Sequence, residues 1–206
     1  MKRGFTLIEV IAVITILGII GVIAVIAVDK TIKDNNQRLY EMQISNIEDA
    51  ARTWGSKNIK YLPDNLDEAI SIPLIVLKKD GLVDKEIKNP KTGELFLNDM
   101  YIDITYKNGI YNYDVLEDSG TNSANDLDVP TIIFKNTLNQ EISVGEEMNT
   151  DAIILLKNGD TIDFKSAGSY ATVNTNLNNN VVGEYSYSVA VKDGTTFTAT
   201  RKITVK

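Results

Sequence analysis

The sequence of the first 28 residues, Met1–Val28, reads MKRGFTLIEVIAVITILGIIGVIAVIAV and decides how the chain is organised. In the 24 residues after Gly4, the only charged side chain is that of Glu9. At 1.5 Å rise per residue, a helix of this length measures roughly 36 Å, enough to cross the roughly 30 Å apolar core of a bilayer. Lys2 and Arg3 precede the run. This placement of charge predicts a cytoplasmic N-terminus, with the rest of the chain on the other side of the membrane.

Two simpler interpretations of this run are a secretory signal peptide and a plain membrane anchor. A signal peptide has an apolar core of about 7–15 residues and an A-x-A-like cleavage site. Here the run is longer and is followed by Asp29-Lys30-Thr31. A plain anchor does not require Glu9, and a carboxylate is unfavourable in it, costing up to roughly 2.5–3.5 kcal/mol at the bilayer centre. An acid in an apolar helix therefore predicts a functional residue with a partner.

The residues from Lys2 to Val10, KRGFTLIEV, resemble the leader and processing site of type IV pilins and of the pseudopilins of type II secretion. In that family a prepilin peptidase cleaves after the glycine and methylates the new N-terminus. The resemblance implies cleavage between Gly4 and Phe5 and N-methylation of Phe5. It also implies that Glu9 pairs with the N-terminal ammonium of a neighbouring subunit, and a buried carboxylate is tolerable when it meets an opposite charge.

The resemblance also implies the location and the partners of the protein. Residues 1–4 are then the leader, and residues 5–28 form a transmembrane and polymerisation helix. The chain crosses the cell membrane once, with its N-terminus in the cytoplasm, before it joins an extracellular filament. The implied partners are a prepilin peptidase, other pilin subunits in a homo- or hetero-polymer, an assembly platform protein and membrane lipid.

The glycines of this helix allow two interpretations. Many pilins carry a proline at about the position of Ile26, and its absence here predicts a helix without a fixed kink. Gly18 and Gly21 each weaken a helix by about 1 kcal/mol relative to alanine, which favours local melting. Alternatively, both glycines allow close packing between helices in the membrane.

The composition of the 206-residue chain excludes several classes of function. The chain has no cysteine and no histidine, which excludes disulfides, thiolate zinc sites and the usual catalytic triads. No phosphate-binding loop or dinucleotide-binding glycine motif occurs. The formal net charge is −7, and no segment is strongly basic, which argues against nucleic-acid contact. We therefore expect neither an enzyme nor a bound cofactor or metal.

The apolar helix is predicted to continue into residues 29–116 as an amphipathic helix that ends at about Trp54, where Gly55 stops it. Apolar side chains at steps of three and four residues mark its inner face: Tyr40, Ile44, Ile47, Ala51 and Trp54. The alternative is two separate helices with a break near Asn35-Asn36. A long spine, half in a filament core and half under a head, is also what the pilin resemblance implies.

The rest of residues 29–116 is predicted to form short helices and a hairpin. Asp64 or Asn65 caps a turn that runs to Ile70, and a short helix covers Leu74 to Lys79, with Pro73 in its first turn. Two alternating strands, Tyr101–Tyr106 and Ile110–Val115, are joined by the turn Asn108-Gly109. Their tyrosines are interpreted as sheet packing rather than as a ligand platform: Tyr101, Tyr106, Tyr111 and Tyr113.

Residues 117–129, EDSGTNSANDLDV, are polar and acidic and are predicted to be a linker. Carboxylates suit calcium, so Glu117, Asp126 and Asp128 offer an alternative interpretation as ligands. Their spacing matches no recognisable calcium loop, and a solvated linker is the favoured interpretation.

Residues 130–206 contain short alternating strands separated by turn signals such as Asn158-Gly159 and Asp193-Gly194. About seven strands would fit an immunoglobulin-like sandwich without the usual cysteine pair. The ending, from Gly183 to Val205, resembles the Ig-like repeats of bacterial surface proteins. Such domains act as spacers or as adhesive tips, and the fold does not choose between them.

The sequence therefore predicts an α+β chain: a long pilin spine helix, a small antiparallel-sheet head and an all-β Ig-like sandwich. The implied function is a structural subunit of a type IV pilus-like or pseudopilus filament that displays the Ig-like domain for spacing or adhesion. The alternative function is a monomeric, membrane-anchored surface protein whose Ig-like domain binds a ligand. The sequence leaves open whether the machine serves adhesion, motility, DNA uptake or secretion.

Overall fold

A computed structural model describes residues 6–117, 119–120, 127–192 and 196–206, without the side chains of 23–27, 169 and 196. Its longest element is helix α1, Leu7–Lys57, with 51 residues. At 1.5 Å per residue this helix is about 77 Å long. The helix is continuous, so the alternative break near Asn35-Asn36 does not occur.

Helix α1 ends at Lys57, beyond the predicted end near Trp54. Asn58 caps the helix: its backbone N–H donates to Gly55 O at 3.1 Å, and its side-chain amide donates to Trp54 O at 2.9 Å. Gly55 is therefore a helical residue rather than the predicted stop. A Cβ at this position would lie 3.2 Å from the Tyr113 hydroxyl, so glycine allows the helix and the sheet to approach closely.

The inner face of the second half of α1 packs on the sheets, as the apolar spacing predicts. Ile47, Ala51, Trp54 and Tyr40 are buried, and Ile44 packs against the same core from a partly buried position.

After the helix and a 3₁₀ turn at Ile59–Tyr61, strand β1 covers Ala69–Pro73. The prediction of a capped turn that runs to Ile70 is wrong at its end, because Ala69 and Ile70 already belong to this strand. All five residues of β1 are buried, so the strand lacks the alternation that marks a half-exposed strand in a sequence. Helix α2, Leu74–Lys79, follows directly and has the predicted bounds.

Strands β2, Tyr101–Lys107, and β3, Ile110–Leu116, form the predicted antiparallel hairpin. Its turn residues Asn108 and Gly109 have φ values of 54° and 78°. Asn-Gly is the pair that best tolerates such positive angles in two-residue hairpin turns.

Seven further strands follow between residues 131 and 205 among the described residues. They are β4 Thr131–Phe134, β5 Gln140–Ile142, β6 Ala152–Leu155, β7 Thr161–Asp163, β8 Ala171–Thr175, β9 Gly183–Lys192 and β10 Thr196–Val205. The α+β class with an all-β C-terminal part is thereby confirmed.

These strands belong to two sheets, which we call the first and the second sheet. The first has six strands in the order β3-β2-β1-β4-β6-β7, so it joins strands from both sides of residues 117–129. The second has four strands in the order β5-β10-β9-β8, and its β5–β10 pair is parallel.

The join within the first sheet lies between β1 and β4, where Ser71 is the register partner of Phe134. One contiguous apolar core includes side chains of α1, of both sheets and of α2. The predicted domain boundaries, with a linker at 117–129, stay a prediction, and residues 118 and 121–126 lie outside the described residues.

Candidate functional site

The predicted processing residues Lys2, Arg3, Gly4 and Phe5 lie outside the described residues. Thr6, the first described residue, is the N-cap of α1, and Glu9 lies in the first turn of that helix. The candidate site is therefore built from the start of α1 and from the helical surface that follows it.

Glu9 forms a reciprocal capping box with Thr6. Its Oε2 accepts hydrogen bonds from the backbone N–H and from the hydroxyl of Thr6, both at 3.0 Å. The Glu9 backbone N–H donates to Thr6 Oγ1 at 3.4 Å. The spacing Thr6-x-x-Glu9 is a capping-box signature in the sequence that was not among the predictions.

This geometry turns the carboxylate of Glu9 back toward the N-terminal end of α1. Cleavage between Gly4 and Phe5 would create an amino group one residue before Thr6. Anionic side chains are also favoured at a helix N-terminus by the unpaired backbone N–H groups there. The start of α1 thus holds a carboxylate at the end of the helix where the predicted processing would place a positive charge.

The apolar side chains of the first part of α1 are exposed on every side of the helix. Their exposed fractions lie between 47% and 79%: Leu7, Ile8, Val10, Ile11, Val13, Ile14, Ile16, Leu17, Ile19, Ile20 and Val22. A helix that is apolar all round is normally buried by other protein or by lipid. This surface therefore points to a contact outside the single chain.

Thr15, Gly18 and Gly21, in the same stretch, make no contact with the rest of the described chain. The hydroxyl of Thr15 donates to Ile11 O at 2.8 Å, within the helix itself. A Cβ at Gly18 or Gly21 would meet no atom within 4 Å. Within the described residues, neither glycine is therefore in contact with another part of the chain.

Among the described residues, no helix is both long enough and apolar enough to cross a membrane.

A second polar cluster, which was not predicted from the sequence, lies where the head strands meet the C-terminal strands. Asp103 of β2 accepts hydrogen bonds from the hydroxyl of Ser71 and from the backbone N–H of Leu138, the latter at 3.1 Å. Burial raises the pKa of Asp103 to about 6, although these hydrogen bonds act in the opposite direction. Asp103 thus links β1 and β2 to the segment after β4.

Arg201 of β10 is the cationic member of this cluster, and 1% of it is exposed. Its guanidinium donates to Leu138 O at 2.7 Å, Thr137 O at 2.6 Å and the side chain of Asn136. It also lies over the ring of Phe134 at 4.3 Å. Burial lowers the pKa of Arg201 to about 10. We call Ser71, Asp103, Asn136, Leu138 and Arg201 the junction cluster.

The contacts of the tyrosines favour packing over a ligand platform. Tyr101 is buried and donates to Ile132 O at 3.0 Å. The rings of Tyr106 and Tyr111 lie 4.7 Å apart, and Tyr111 donates to Pro63 O at 3.1 Å. Tyr113 lies 5.0 Å from the guanidinium of Arg52 on α1.

For the alternative calcium site, Asp126 lies outside the described residues. Asp128 lies 4.0 Å from the ammonium of Lys157. Within the described part of the chain, no three acidic side chains are grouped so that they could hold a metal ion.

Comparison with known proteins identifies the start of the chain. The family described as the prokaryotic N-terminal methylation motif matches residues 1–25. No curated protein matches the chain. The match indicates a prepilin-type leader, typical of type IV pilin and pseudopilin precursors that a prepilin peptidase processes.

Among solved structures, the crystal structure of the lipoprotein BT2262 from Bacteroides thetaiotaomicron is similar to 37% of this chain, at 19% identity and a TM-score of 0.30. The similar part covers 37% of that lipoprotein. A TM-score this low does not establish a shared fold, so the Ig-like assignment stays a prediction from the sequence.

Proposed function

We propose that the chain is a structural subunit of a type IV pilus-like or pseudopilus filament. In this proposal a prepilin peptidase cleaves between Gly4 and Phe5 and methylates Phe5. The helix of residues 5–28 holds the precursor in the cell membrane through contact with lipid. An assembly platform protein then transfers the subunit to an extracellular filament, where other pilin subunits cover the apolar surface. The role is structural rather than catalytic.

The observation that carries this proposal is the exposed apolar surface of the first part of α1, which lies within the match to the methylation motif. The described part of the chain covers none of these side chains, although the second half of the same helix is packed on the sheets. A helix that is apolar all round needs lipid or other helices around it. In this proposal, membrane lipid covers the apolar helix in the precursor, and other subunits cover it in the filament.

The proposal assigns Glu9 to subunit pairing. Its carboxylate lies at the start of the helix, where the amino group of a neighbouring processed chain would meet it. In an apolar filament core each charge alone is costly, and the pair offsets that cost. The C-terminal strands are proposed to lie on the outer surface as a spacer or an adhesive element.

The first experiment is the intact mass and N-terminal sequence of the protein from its own cells. The proposal is supported if residues Met1–Gly4 are absent and Phe5 carries one methyl group. An intact Met1 contradicts it. Mechanical shearing of cells then separates the two candidate functions. A filament subunit is recovered in the sheared extracellular fraction, whereas a tethered monomer remains with the membrane fraction.

A further inference from the structure

The side chain of Lys78 is buried in the last turn of α2, and 1% of the residue is exposed. Its Nζ donates to Phe96 O at 3.0 Å and to Asn98 Oδ1 at 2.8 Å. Asn98 is also buried, with 7% exposed. Within the described residues, Lys78 makes no ion pair. A buried ammonium without a carboxylate partner is costly, so burial makes Nζ easier to deprotonate.

The two acceptors around Lys78 Nζ leave one position for a lone pair once Nζ has lost a proton. A neutral amine has two N–H groups and one lone pair, and the two acceptors Phe96 O and Asn98 Oδ1 satisfy both N–H groups. Burial lowers the pKa of Lys78, and the charge of Asp84 opposes this shift. Once deprotonated, Nζ would present a nucleophilic lone pair beside the side-chain amide of Asn98, away from bulk water.

We propose that Lys78 and Asn98 form an intramolecular isopeptide bond. After Nζ loses one proton to solvent, its lone pair attacks Asn98 Cγ, and an Nζ–Cγ bond forms. The Cγ–Nδ2 bond breaks, and the departing nitrogen takes one proton from Nζ and leaves as ammonia. The step needs no oxidant and no cofactor. The product amide keeps the carbonyl oxygen of Asn98 and one N–H on Nζ.

The bond would join two segments that already lie side by side. The backbone N–H of Ile75 donates to Asn98 O at 2.9 Å, and that of Leu74 donates to Met100 O at 2.7 Å. Phe96 in turn stacks on Tyr40 of α1, with ring centroids 5.9 Å apart. The link would close the chain between residues 78 and 98 beside the spine, in a protein that has no cysteine for a disulfide.

This inference is independent of the proposed filament function, because it concerns one chain. The test is tandem mass spectrometry of a tryptic digest of the full-length protein, purified in detergent. The expected product is a branched peptide that contains both residues 78 and 98 and is lighter by one ammonia molecule than its two parts. Total mass alone is insufficient, since Asn108-Gly109 and Asn158-Gly159 also lose ammonia when they form succinimides.

Three variants test whether Lys78 and Asn98 are the two linked residues. Lys78→Met abolishes the branched peptide. Lys79→Met is the matched control and keeps it, because Lys79 Nζ donates instead to Val129 O at 2.5 Å. Asn98→Asp forms the same link with loss of water instead of ammonia. Recovery of only linear, unmodified peptides for residues 78 and 98 from the wild-type chain overturns the inference, and no variant has to fold for that result to hold.

Discussion

Glu9 has one observed contact and one proposed contact, and single substitutions separate them. In the described chain its carboxylate closes a capping box with Thr6. In the proposed filament it also neutralises the amino group of a neighbour. Glutamine fits a capping box but carries no charge, whereas alanine removes both functions.

We therefore predict that Glu9→Gln and Glu9→Ala both remain in the membrane and are lost from the sheared filament fraction. The alanine variant additionally loses the hydrogen bonds that Glu9 accepts from Thr6. Immunoblots of the two fractions measure the first effect. Glu41→Gln is the control, because Glu41 lies on the same helix at an exposed position and accepts a hydrogen bond from Gln37 Nε2 at 2.7 Å. Normal assembly of Glu9→Gln would contradict the proposed charge pairing.

Asp103 makes the stability of the protein depend on pH. Its pKa is about 6 in the folded chain against 3.8 for the unperturbed group. Between these values the folded state binds a proton that the unfolded state has released. The free energy of unfolding therefore falls as the pH rises through this window, and the loss is about 3 kcal/mol above it.

We predict that Asp103→Asn removes this pH dependence, because the amide cannot ionise while its oxygen still accepts from Leu138 N–H. Urea unfolding of the full-length chain in detergent at pH 4, 6 and 8 measures the effect. Asp34→Asn, at an exposed position on α1, is the matched control and should leave the wild-type profile unchanged. If Asp103→Asn kept the wild-type dependence of unfolding free energy on pH, Asp103 would not be the group responsible for it.

At the scale of elements, α1 has one half that packs within the chain and one half that does not. We predict that Ile47→Ala lowers the free energy of unfolding by about 2–5 kcal/mol, because it leaves a cavity in the core. Ile47 is fully buried, whereas Ile32 on the same helix is 52% exposed.

The same change at Ile32 is the control and should cost less than about 0.5 kcal/mol. Chemical unfolding in detergent compares the two variants. If Ile47→Ala and Ile32→Ala lowered the free energy of unfolding equally, the second half of α1 would not pack on the sheets as described.

Elements with a local signal were predictable, and those that depend on distant partners were not. The apolar spacing of Tyr40 to Trp54 predicted the inner face of α1, and Asn108-Gly109 predicted the turn of the hairpin. Strand β1 was missed because it is buried on both faces and is defined by its neighbours β2 and β4. The junction cluster was missed for the same reason, since Asp103 and Arg201 are far apart in the sequence.

At the scale of the whole molecule, the first sheet and the common core lead us to expect that the head and the C-terminal strands unfold as one cooperative unit. The single tryptophan, Trp54, is buried under the head and reports its unfolding by fluorescence. Ile203 is fully buried in β10 of the second sheet. A change at Ile203 should therefore be detected by Trp54.

We predict that Ile203→Val destabilises the chain by about 0.5–1.5 kcal/mol. In a chain of this size each kcal/mol lowers the melting temperature by roughly 2–4 °C. The melting temperature reported by Trp54 fluorescence should fall by the whole decrease that this loss of stability predicts. Ile110→Val, at a position that is 63% exposed, is the matched control and should leave it in place. An unchanged Trp54 transition in Ile203→Val would show that the two parts unfold separately.

The parallel pairing of β5 with β10 has a mechanical consequence. A tension applied between α1 and the end of β10 would pull β5 and β10 past each other along their length. The ladder bonds around Ile203, Thr204 and Val205 would then be loaded in shear and would have to rupture together. A hairpin such as β2–β3, pulled at its open end, unzips one bond at a time. The placement of β10 therefore favours resistance to stretching.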